Sequence, residues 1–162
     1  MKSILLIDHG SRRDEANEML GCVANLVQHL VGEAAIVRHA HMELAEPSIE
    51  SGFAACVAAG ATEVVVFPYM LSPGKHVTGD IPRLVAEAAA RHPQASYTVI
   101  PAFGVHEKLG EIVLERAGLS VANPVQSADA CQCWANDRSA ARCGNACPMN
   151  SRASSAPTAH TH

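Results

Sequence analysis

At 162 residues, 48% of them hydrophobic and 17% charged, the chain is long enough for one domain with a real core and too apolar to be disordered throughout. Its formal net charge of -4 argues against a general nucleic-acid binder, which would carry a basic excess. The first apolar run, Ile4 to Ile7, is too short for a signal-peptide core, and no stretch approaches the roughly 20 apolar residues that span a bilayer. A soluble cytoplasmic protein with no membrane and no nucleic-acid partner is expected, its six cysteines being mostly thiols or metal ligands and not disulfides.

Short apolar runs alternate with longer amphipathic ones. Lys2 to Asp8 reads as a buried strand, and Asp14 to Leu30 as a helix with Met19, Leu20, Val23, Leu26, Val27 and Leu30 at helical spacing. Ala35 to His41 is a second strand, and Pro47 to Ala59 a helix with Pro47 early and Gly60 just past its end. Glu63 to Met70, apolar nearly throughout and rich in β-branched residues, reads as a central parallel strand covered on both faces. A loop carrying Pro73, Gly74, Gly79 and Pro82 follows, then a helix over Ile81 to Arg91 and a strand over Ser96 to Pro101. The last helix runs over Val105 to Ala117 and ends at Gly118. This order predicts an α/β fold: a doubly wound, mostly parallel sheet of flavodoxin-like order with helices on both faces. The ordered domain spans 1–119, and 120–162 is a low-order tail rich in Ala, Ser, Asn, Cys and Pro. Cys22 and Cys56 fall on predicted helices and read as core packing.

Two histidines sit where an apolar run stops. His9 follows the first strand, and His76 follows the third across Ser72-Pro73-Gly74-Lys75. If both strands are parallel neighbours, both imidazoles emerge at the carboxyl edge, where open α/β sheets place their ligands. Each alone reads equally as a turn or loop residue; together they suggest a metal or proton-transfer site. Glu43 and Glu46, in Met42-Glu43-Leu44-Ala45-Glu46-Pro47, either add a carboxylate there or simply favour the dipole of the next helix. Spacing alone leaves both open.

The segments His9-Gly10-Ser11-Arg12, Met42-Glu43-Leu44-Ala45-Glu46-Pro47-Ser48-Ile49 and Pro68 to Pro82 come in that order and together resemble the sirohydrochlorin chelatase family in its short, single-domain form. The resemblance covers residues 3 to 118 and implies insertion of a divalent metal, Co²⁺ or Fe²⁺, into sirohydrochlorin for cobalamin or sirohaem synthesis. It implies a doubly wound chelatase domain that pairs as a homodimer around a cavity. His9 would be metal ligand and proton acceptor, His76 the second metal ligand, and Glu43 an assisting group. Glu46 and the loop Met70, Leu71, Ser72, Pro73, Gly74 and Lys75 would contact the tetrapyrrole. Arg12, with Arg13, Lys75 and Arg83, would meet its carboxylates. Neutral imidazole binds first-row divalent ions without the grip of a thiolate cage and titrates near neutrality, which suits a group that trades a metal for protons.

In the tail, Cys131, Cys133, Cys143 and Cys147 form C-x-C and C-x3-C pairs, enough for an iron–sulfur cluster or tetrahedral zinc, though in no standard spacing; reactive thiols on an unstructured tail are the alternative. A histidine phosphatase also places His-Gly after its first strand, but has arginine before the histidine, where Asp8 stands here. A non-catalytic metal carrier using the His pair and the Cys/His tail is the other rival.

Overall fold

The computed structural model describes residues 1–72 and 74–124. Four strands form one parallel sheet: β1 (Lys2–Asp8), β2 (Ile36–His41), β3 (Glu63–Pro68) and β4 (Ser96–Val99), in the order β2-β1-β3-β4. The helices are α1 (Asp14–Val31), α2 (Ile49–Ala58), α3 (Ile81–Ala89) and α4 (Glu107–Arg116). The chain divides into two compact units, Met1–Phe103 and Gly104–His162, and α4 belongs to the second. There His106 caps α4, its Nδ1 accepting the Lys108 N–H at 3.2 Å.

Side chains alternate across β1, and each face finds different partners. Leu5 and Ile7 join Val64 and Val66 of β3, Ala40 of β2, Phe53 and Cys56 of α2, and Ile81 and Val85 of α3 in the larger core. Leu6 turns the other way, onto Leu20 and Ala24 of α1 and Val37 of β2. The sheet is thus covered on both faces, α1 on one and α2 with α3 on the other. Phe53 is fully buried; a side chain of that size contributes roughly 1.5–3 kcal/mol by leaving water. Cys56 is also fully buried, and burial pushes its thiol up, so it is an inert packing residue as expected.

Several expectations need correction. Cys22 is exposed, as are Met19, Leu26 and Leu30, because α1 turns Leu20 and Ala24 fully inward, with Val23 and Val27 beside them. β3 is buried on the α2–α3 side only, since α1 packs over β1 and β2; Val65 and Phe67 are half-buried. β3 also stops at Pro68, and α2 starts two residues after Pro47, at Ile49, because Ser48 is its cap and accepts the Ser51 N–H. The segment read as a loop is helical. His76–Asp80 forms a π-helical turn that runs straight into α3, with the Ile81 N–H donated to the His76 carbonyl and Pro82 in the first turn of α3.

Candidate functional site

The strand order reverses at β1, since β2 lies on one side of it and β3 on the other. The carboxyl ends of β1 and β3 therefore mark the edge where open α/β sheets hold their ligands. His9 leaves β1 and His76 opens the turn after β3, so both flank it. The two imidazoles meet edge to face, ring centres 4.9 Å apart at an interplanar angle of 90°. Sixty-six residues of intervening chain fold back to make that contact.

Backbone pairing fixes the His9 side. The β1–β2 ladder continues past the strand ends: Met42 donates its N–H to the Asp8 carbonyl at 2.9 Å and Glu43 donates to the His9 carbonyl at 3.1 Å. Gly10 then turns with φ 80°, and a Cβ there would lie 1.9 Å from the Glu43 carbonyl oxygen. Only glycine lets the two loops touch. Leu44, at φ 68°, lies in the left-handed region that non-glycine residues rarely adopt, between the two glutamates. Glu43 is thus anchored beside His9 by its backbone, with its side chain exposed. It does not complete a cluster: among the described residues no three His, Cys, Asp or Glu side chains converge as a metal cage.

Two carboxylates that sequence reasoning did not single out hold histidines by one nitrogen. Asp80 Oδ2 accepts from His76 Nδ1 at 2.9 Å, one π-turn away. Asp8 Oδ1 accepts from His41 Nδ1 at 2.6 Å and from the Gly10 N–H at 2.9 Å. An ionised carboxylate only accepts, so Nδ1 carries the proton in both pairs and Nε2 is left to bind elsewhere. Metal-binding histidines are ordinarily oriented this way. The i,i+4 spacing of His76 and Asp80 was visible in the sequence, but only to a reader expecting a helix there.

The remaining expected residues separate. Leu71, Ser72, Gly74 and Lys75 are exposed, whereas the Met70 side chain is buried in the larger core and anchors the loop. Phe103 strengthens that anchor by donating its N–H to the Met70 carbonyl at 3.1 Å and packing its ring against Tyr69. Glu46 Oε2 accepts from the Ser48 N–H at 2.7 Å and the Ser51 hydroxyl at 3.0 Å; these bonds, the backbone one foremost, hold its carboxyl below the usual range. One of its oxygens is therefore engaged at the start of α2. Arg12 is exposed. Pro73 and the cysteines 131, 133, 143 and 147 lie outside the described residues.

The CbiX family model matches residues 3–119. The chain belongs to the CbiX family. It is 42% identical over 128 residues to the chloroplastic sirohydrochlorin ferrochelatase of Arabidopsis thaliana, covering 79% of this chain and 56% of the relative. It is 33% identical over 129 residues to the sirohydrochlorin cobaltochelatase of Priestia megaterium, covering 78% of this chain and 42% of the relative. The solved sirohydrochlorin chelatase SirB of Bacillus subtilis subspecies spizizenii, in complex with cobalt, superposes with a TM-score of 0.66 at 32% identity, over 72% of this chain and 50% of that one. This CbiX-family chain spans about half the length of the curated relatives it matches. No helix among its described residues is long and apolar enough to cross a membrane.

Proposed function

We propose that the chain is a metal chelatase that inserts Co²⁺ or Fe²⁺ into sirohydrochlorin. The observation that carries this reading is the His9–His76 contact at the carboxyl edge. Two imidazoles present two neutral donors to one ion and leave most of its coordination sphere to water and substrate. Such a site binds a first-row cation firmly enough to strip water from it and loosely enough to release it. Asp80 keeps His76 as an Nε2 donor. As the macrocycle takes the metal it loses two pyrrolic protons; the exposed His9 accepts one when its own bond to the metal breaks, and the other passes to solvent water. Lys75 and Arg12, both exposed, face an anionic polycarboxylate substrate.

Relatives named for cobalt and for iron are both similar to the chain, so the metal is a question for assay. Sirohydrochlorin with Co²⁺ or Fe²⁺ under anaerobic conditions should show an accelerated change in the tetrapyrrole spectrum. His9→Ala and His76→Ala should each lower the rate at least a hundredfold, since each removes a ligand and not merely a contact. A wild-type rate equal to the spontaneous reaction, with metal still bound, would leave a metal carrier as the surviving reading.

A further inference from the structure

The two imidazoles of the site are directed by different means. His76 is held through its ring, by Asp80 at 2.9 Å. The histidine–carboxylate pairs among the described residues are His76–Asp80 and His41–Asp8, and His9 is in neither. The exposed His9 ring therefore takes its direction from the backbone that carries it. That backbone is a closed turn. Asp8 Oδ1 accepts the Gly10 N–H at 2.9 Å, a bond from a side chain to the backbone two residues on, which makes His9 the middle residue of an Asx-turn.

His41 fixes the oxygen on which this turn closes. Asp8 and His41 end β1 and β2 and stand opposite each other in the parallel register. His41 Nδ1 donates to the same Asp8 Oδ1 at 2.6 Å. Because one oxygen takes both bonds, a carboxylate that left His41 would carry off the acceptor of the Gly10 N–H. The His41 side chain is 1% exposed and that of Asp8 24%, so water competes little for their bond, which strengthens it. The His41 backbone is pinned as well, its N–H donating to the Pro47 carbonyl at 2.7 Å. Gly10 rests directly on it: a Cβ at Gly10 would lie 3.1 Å from the His41 Cβ. A ring so deeply buried acts on the site through Asp8 and not on a ligand.

We propose that His41 is a positioning residue: through the Asp8 carboxylate it locks the Asx-turn that points His9 at His76. What His9 then does rests on the chelatase reading; how the turn is held does not. Without the lock His9 samples several directions, and only the fraction of chains with both imidazoles in place binds metal well. The apparent metal affinity falls by that fraction, while saturating metal selects the competent chains and preserves turnover.

The test follows anaerobic metallation of sirohydrochlorin by the full chain over a range of buffered free Co²⁺. His41→Leu keeps bulk and loses the donor; His41→Asn keeps a donor, since its side-chain amide N–H lies near the place of the imidazole Nδ1–H. His41→Leu should raise the KM for Co²⁺ at least about tenfold with kcat kept, and His41→Asn should recover most of that loss. In parallel, NMR should show the Gly10 amide exchanging at least about tenfold faster in His41→Leu, with the Leu6 amide inside β1 unchanged, and protected again in His41→Asn. A wild-type KM in His41→Leu, or an Asn variant no better than the Leu variant, would overturn the proposal. A loss confined to kcat with faster exchange at Leu6 would also overturn it, making His41 a strand-packing residue only. If His41→Leu does not fold, Asp8→Ala against Asp8→Asn, which keeps the shared acceptor, makes the same comparison from the more exposed partner. A wild type that fails to metallate sirohydrochlorin would sink the chelatase reading alone, and the Gly10 exchange would then decide whether His41 locks the turn.

Discussion

Asp80 and Gly10 both set how the His9–His76 pair is presented. Among the described residues Asp80 pairs only with His76, through an exposed bond at the surface, so its contribution to stability is small. Its effect on ligand geometry is larger. Asp80→Ala should leave the unfolding midpoint nearly unchanged while lowering chelation about 10- to 100-fold, and Asp80→Asn, which keeps an acceptor, should recover most of it. Equal losses in both variants would assign Asp80 a charge role and not an orienting one. Gly10→Ala is the opposite case. It adds a Cβ against the Glu43 carbonyl in a backbone conformation with φ 80°, so it should cost about 1–3 kcal/mol in chemical denaturation and displace Glu43 from His9. His39 supplies a pH signature at the same scale. Its pKa is lowered in the folded chain from an ordinary 6.5, so as pH falls the unfolded chain takes up that proton first. Its contribution is complete above the unfolded pKa and is lost as pH falls through the folded one. Urea midpoints measured from about pH 7.5 down to 5.5 should therefore decline, and His39→Gln should flatten the decline.

The elements meet most closely where α2 crosses the sheet. Gly52 sits over Ala40 and Leu5, and a Cβ there would come 2.8 Å from the Ala40 Cβ and 3.1 Å from Leu5 Cδ1. Gly52→Ala gains helix propensity but wedges α2 from β1 and β2, so a net loss of about 1–3 kcal/mol is expected in urea unfolding. A stabilised variant would mean that α2 is free to shift. Such close approaches were not legible in the sequence, because a glycine in a helix reads only as a weak residue. The strands were legible, because β1 and β3 are short, continuous and apolar, and the chain leaves their carboxyl ends toward His9 and His76. The π-turn was not: Pro73, Gly74, Gly79 and Pro82 signal a loop, and tertiary packing of Val77 and Ile81 into the core overrode them. The same override concealed Asp80. On α1 the apolar stripe was read too wide, since a helix resting on two strands buries only the arc around Leu20 and Ala24. Asp8 and His41 escaped notice for a different reason: their pairing follows from the β1–β2 register, Asp8 opposite His41, which no single-strand pattern encodes.

At the scale of the molecule, the site is a wall more than a chamber. His9 is exposed, His76 is half-exposed, and no third His, Cys, Asp or Glu converges on them among the described residues. Metal insertion into a macrocycle needs the ion and the pyrrole nitrogens held against each other with bulk water kept off. A second copy of the chain would supply an opposing wall. We therefore expect the active species to be a homodimer, with a mass twice the 17.0 kDa of the chain by sedimentation. Because the pairing would build the site, specific activity should fall with the dimer fraction on dilution instead of staying constant per chain. The two readouts together are decisive: a 17.0 kDa species with undiminished specific activity would show that one wall suffices.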